Sequence, residues 1–97
     1  MRLAFKESLI SQIRRSAVSI ATNIAEGAGR GTDPDFKRFL EIAYASTNET
    51  DYLLLLSKDL GFTNTEILQK TNAELTEIKK MLYALIQRLA TSKSNLP

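Results

Sequence analysis

An all-α fold, an up-down antiparallel helical bundle of three long helices, is the architecture this sequence predicts. Apolar residues recur at alternating three- and four-residue spacing along most of the chain, the period of an amphipathic helix. The interruptions fall at glycine-bearing turns around residues 27–31 and at Gly61. No segment carries the period-two alternation of a half-buried strand. At 97 residues, the whole span 1–97 reads as a single helical-bundle domain whose one core must supply its stability.

The first helix is expected from about Glu7 to Glu26. Ile10, Ile13, Ala17, Ile20 and Ile24 form its bundle seam, widened by Leu9, Ala21 and Ala25. The opposite face holds Gln12, Arg15, Ser16, Ser19, Thr22, Asn23 and Glu26, mostly small and polar. Gly27 is expected just past the helix end, where a left-handed residue is easiest to place. Glu26 lies against local preference, because helix C-terminal carbonyls already carry partial negative charge. A hydrogen bond or ion pair to Arg30, Arg38, Asn23 or the amides of the turn is therefore expected of it.

The second helix opens with Asp33 as N-cap, Pro34 in the first turn and Asp35 complementing the dipole. It is expected to reach Leu60, with Gly61 ending it. Phe36, Phe39, Leu40, Ala43, Leu53, Leu54 and Leu60 form its core stripe, and Ser46, Thr47 and Thr50 let a neighbouring helix approach closely. Four successive leucines, Leu53 to Leu56, cover the helix all round, so it needs partners on more than one side.

The third helix starts at Thr63, which with Glu66 has the spacing of a capping box. Leu68, Thr71, Leu75, Ile78, Leu82, Leu85 and Leu89 hold a strict three-four repeat, flanked by Ile67 and Ile86. Lys70, Glu74, Glu77, Lys80 and Arg88 mark its solvent face. Periodicity lapses over Thr91 to Pro97, and this end is expected to fray. Three such helices normally close a bundle only with a fourth wall or another subunit.

Composition narrows the chemistry. Apolar residues make up 43% of the chain and charged ones 25%, the balance of an ordinary folded protein. With no Cys, thiolate metal sites, disulfides and cysteine nucleophiles are excluded, and the lack of Cys suits a reducing, cytoplasmic location. With no His, the commonest general base and metal ligand are missing as well. No run approaches the roughly 20 apolar residues of a membrane span, and no secretory leader pattern opens the chain. Net charge is only +2, but it is unevenly spread. Residues 1–38 carry seven bases against four acids, whereas 39–60 carry Glu41, Glu49, Asp51 and Asp59 against Lys58.

Several segments together resemble the four-helix-bundle family encoded by intervening sequences in bacterial 23S rRNA genes. They are S-Q-I-R-R at Ser11 to Arg15, A-V-S-I at Ala17 to Ile20, N-I-A-E-G at Asn23 to Gly27 and G-R at Gly29–Arg30. F-K-R-F-L-E-I-A at Phe36 to Ala43 and L-L-L-L-S-K-D-L-G-F at Leu53 to Phe62 extend the likeness, which runs from about Leu9 to Leu89. The resemblance implies an up-down bundle assembled into a ring, a homopentamer in the best-known arrangement, and a fold related to the basic accessory protein of diversity-generating retroelements. It implies RNA binding only from where such genes lie. Family members usually begin with a further helix, and only Met1 to Ser8 precede the likeness here. The family's first helix is thus expected to be short or absent.

Arg14, Arg15, Arg30, Lys37 and Arg38 are the candidate phosphate contacts, since Arg and Lys supply affinity without reading sequence. Arg30 sits near the start of the second helix, where free amides favour anions. The competing reading makes these residues surface charges paired with Glu26, Asp33 and Asp35. Gly27, Gly29 and Gly31 match neither dinucleotide nor Walker spacing and read as a structural turn. Asn23, Glu26 and Glu49 are expected to form a structural polar network that fixes helix register. A di-metal bundle would need the Glu-x-x-His motif that this chain lacks, so neither metal nor cofactor is expected. Tyr44, Tyr52, Leu55 and Leu56 are the candidate oligomer interface.

The expected function is therefore a non-enzymatic subunit of a homo-oligomeric ring that binds RNA or DNA through a basic surface. The alternative is a protein-interaction adaptor ring without nucleic-acid binding.

Overall fold

Helix ends are set by short polar side chains and by two left-handed glycines. The computed structural model describes residues 2–94, with side chains through Thr91, as α1 (Arg2–Ala28), α2 (Asp33–Asp59) and α3 (Thr65–Ser94). α1 begins at Arg2 rather than near Glu7. Residues 2–8 continue that helix and form no separate one. The N-cap of α2 is Thr32, one residue before the expected Asp33. Its backbone is extended and its hydroxyl oxygen accepts from the Asp35 N–H at 3.3 Å. The N-cap of α3 is Asn64, one residue after the expected Thr63. Asn64 Oδ1 accepts from the Ile67 N–H at 2.8 Å, which displaces the Thr63–Glu66 box. The expected irregular end is helical as far as Ser94, and residues 95–97 lie outside the described residues.

Gly61 ends α2 as the sequence implies. Its φ of +79° lets the Gly61 N–H reach the Lys58 carbonyl at 2.9 Å and the Phe62 N–H reach the Ser57 carbonyl at 2.9 Å. This 6→1 and 5→2 pair satisfies carbonyls the helix end would leave open. At the other turn the left-handed residue is Gly31, with φ +87°, and not Gly27, which lies inside α1.

The helices run up, down and up, and α2 is the middle one. The backbones of α1 and α3 both pack against α2 but not against each other. The core joins Ile20 of α1, Leu40 and Ala43 of α2, and Leu75, Leu82 and Ile86 of α3. Tyr44, Leu54, Ile78 and Leu89 pack around it.

α1 meets α2 along one edge of its apolar stripe, Leu9 and Ile20, together with the small residues Ser16 and Gly27 beside it. Leu9, Ser16, Ile20 and Gly27 are its buried residues, while Ala17 is exposed and Ile10 is partly so. Hydroxyl pairs line the seam. Asn23 Nδ2 donates to Ser19 Oγ at 3.0 Å, and Ser19 Oγ meets Ser46 Oγ at 2.9 Å. Because Ser46 spends its own proton on the Ile42 carbonyl, Ser19 must be the donor of that pair. Thr50 similarly donates to the Ser46 carbonyl at 2.8 Å, leaving Ser16 as donor to Thr50. Among the described residues, no buried side-chain polar atom lacks a hydrogen bond. Small side chains bring the two backbones close, and paired hydroxyls remove the cost of burying polar atoms.

On the other side of α2, Lys79 Nζ reaches Asp51 Oδ2 at 3.2 Å and Asn48 Oδ1 at 3.5 Å, above a largely apolar contact. No described helix is long and apolar enough to cross a membrane.

Candidate nucleic-acid interface

Phe39 is the platform for two arginines at one end of the bundle. It points from the second turn of α2 toward α1 and is buried there because Gly27 offers no side chain in its way. Two guanidinium groups lie over its ring. Arg38 comes from the same helix, with its guanidinium carbon 4.5 Å from the ring centre. Arg30, from the α1–α2 turn, lies 5.0 Å away. Arg30 also pairs with Glu26 at 3.1 Å, so the acid at the α1 C-terminus has found one of the partners expected of it. Contact with an aromatic face restrains two otherwise flexible cations, leaving the N–H groups of Arg38, and those of Arg30 that Glu26 does not take, to bind oxygen anions.

The five candidate phosphate contacts do not form one patch. Arg30 and Arg38 share a ring. Lys37 is half-buried and paired with Glu41 at 3.3 Å, one helical turn along α2. Arg14 and Arg15 are exposed at mid-α1, more than about 20 Å along the axis from Arg30 at 1.5 Å rise per residue. Two separate surfaces result. The amino end of α2 is a poor anion site, because Asp33 and Asp35 occupy its first turn and Thr32 already satisfies one of its amides. This corrects the expectation that Arg30 gains from those amides.

Asn23, Glu26 and Glu49 do not meet as one network. Asn23 belongs to the hydroxyl seam, Glu26 is an exposed partner of Arg30, and Glu49 is exposed on α2. Each carboxylate sits one position before a buried seam residue, Gly27 or Thr50, and is therefore turned about 100° out of the contact. Ser16 and Thr50 are buried and paired at this seam, with Ser19 and Ser46 half-buried beside them. Serine and threonine inside a helix pattern were the signal for them, but their pairing needed the register of α2.

The candidate interface residues also divide. Tyr44 packs against the core and Leu56 is half-buried. Tyr52 and Leu55 are exposed, and with Leu68 and Asn72 they line a shallow hollow of about 290 Å³ between α2 and α3. A larger apolar groove of about 410 Å³ lies between α1 and α3, where the two backbones stand apart. Ile20, Ala21, Ile24, Ile78, Met81 and Leu85 line it, and Met81 is 71% exposed. The apolar stripe of α1 that α2 leaves uncovered forms one wall of this groove.

A comparison with protein-family models matches residues 3–84 to the family described as 23S rRNA-intervening sequence protein. A comparison with curated proteins returned no match.

Proposed function

Because the chain belongs to the 23S rRNA-intervening sequence protein family, we propose that it acts as a non-enzymatic subunit of a homo-oligomeric ring that holds RNA or DNA by its phosphates. The observation that carries the nucleic-acid reading is the pair Arg30 and Arg38 on Phe39. Two pre-positioned guanidinium groups suit phosphate oxygens, whose contacts bind without reading sequence. The apolar groove between α1 and α3 supports assembly, since an uncovered apolar face of this kind marks a contact with another polypeptide. A ring, pentameric by family resemblance, would repeat a weak basic site once per subunit and turn marginal affinity into useful avidity. The lack of His and Cys removes the commonest general base and the thiol nucleophile, which supports the non-enzymatic reading. A cytoplasmic location fits this reading.

The near absence of polar groups from the groove favours a second reading, an adaptor ring that binds a polypeptide and no nucleic acid. Gel-shift titration across salt concentrations separates the two. Phosphate binding should weaken steeply as salt rises, because each neutralised phosphate releases counterions. It should weaken equally for unrelated RNA sequences when Arg30→Ala and Arg38→Ala are combined. No shift at low salt, or a shift indifferent to salt and to both substitutions, would leave the adaptor reading.

A further inference from the structure

At the end of the bundle away from Arg30 and Arg38, the start of α1 lies against the turn between α2 and α3. Arg2 Nη2 donates to the Leu60 carbonyl at 3.4 Å, and its guanidinium carbon is 5.0 Å from the centre of the Phe62 ring. Lys6 Nζ, one helical turn on, is 5.8 Å from the same ring. Arg2, Phe5, Leu60 and Phe62 line an open hollow of about 420 Å³. Were this an apolar plug, Phe5 would be covered, yet it is 54% exposed. Among the described residues, neither Arg2 nor Lys6 forms an ion pair with a carboxylate.

A guanidinium resting over a ring can offer a planar face on which a base stacks, and an exposed phenyl ring does the same. Aromatic faces beside cations that no carboxylate neutralises are the chemistry of single-stranded nucleic-acid binding, in which bases stack and phosphates are neutralised with little sequence preference. A duplex hides its base faces and could use only the cations. We infer that this hollow takes one unstacked base of a single-stranded RNA, held between Phe5 and the Arg2–Phe62 pair, with Lys6 on a flanking phosphate. The inference rests on the nucleic-acid reading above and narrows its partner to single strands.

Fluorescence anisotropy with a labelled oligouridylate and a labelled RNA duplex, both at low salt, tests it. The single strand should bind the unmodified chain more tightly than the duplex. Phe5→Ala, whose exposed ring is not needed for folding, should weaken single-strand binding about tenfold, the effect of one lost stack, and leave duplex binding unchanged. Phe5→Trp should restore it. If Phe5→Ala changes nothing while Arg30→Ala with Arg38→Ala weakens both probes, the stacking site is wrong and the phosphate reading stands. Binding of neither probe to the unmodified chain would remove the broader reading, and the stacking site with it.

Discussion

Gly27 and Phe39 meet so closely that a methyl group on Gly27 would stand 2.7 Å from Phe39 Cβ and 3.0 Å from Phe36 Cδ1. The contact joins α1 to α2 and seats the ring on which Arg30 and Arg38 rest. Fold and candidate site therefore share one residue without a side chain. Gly27→Ala should destabilise the protein by about 1–2 kcal/mol, because overpacking against a Cβ outweighs the helix-propensity gain of roughly 1 kcal/mol. Gly29→Ala, which meets nothing closer than 3.7 Å, is the control and should be neutral or slightly stabilising. Thermal unfolding of both variants decides the matter, and a stabilised Gly27→Ala would show that the helices have slack there.

Opposite outcomes are expected at adjacent positions of α1. Ser16 is buried against Thr50, so Ser16→Leu should cost about 1–3 kcal/mol despite adding apolar surface. Ala17→Leu faces away from α2 and should stay within about 0.5 kcal/mol. Urea denaturation midpoints measure both. The reverse ranking would mean that α1 docks by its apolar stripe.

Glu26 restrains Arg30 more than it stabilises the fold. Both side chains are about half exposed, at 54% and 47%, so the ion pair contributes no more than about 0.5 kcal/mol. Glu26→Gln should leave the melting temperature nearly unchanged and strengthen RNA binding at low salt about twofold, since it frees a guanidinium and removes a nearby negative charge. Weaker binding by this variant would show that the carboxylate is needed to hold Arg30 in place.

Assembly is expected to run through the groove between α1 and α3. Light scattering of the unmodified chain should give a mass several times that of the 10.8 kDa subunit. Met81→Glu places a charge at an exposed point of that groove and should shift the protein toward monomer with its helical content intact. A monomeric unmodified chain at micromolar concentration would rule out the ring.

Helix number, helix order and the left-handed stop at Gly61 were legible in the residues themselves, because periodicity and glycine conformation act over a few neighbours. Cap positions were legible to within one residue. Asp33 and Thr32, or Thr63 and Asn64, are competing acceptors, and the local backbone geometry selects one. The need for a partner on two sides of α2 was also readable, from Leu53 to Leu56.

Which face of α1 meets α2 was decided only by tertiary structure. Amphipathic spacing ranks faces by hydrophobicity, whereas helix docking also rewards close backbone approach and satisfied polar pairs. Ser16, Ser19 and Gly27 offer the first, and Ser46 and Thr50 across the seam supply the second. That docking buried one edge of the apolar stripe of α1 and turned the rest toward an open groove, kept Glu26 and Glu49 out of the contact, and brought Arg30 and Arg38 to one ring while leaving Arg14 and Arg15 elsewhere. Charge can be counted along a chain, but its grouping in space depends on how each helix is rotated against its neighbour. That rotation is fixed by packing between residues far apart in sequence.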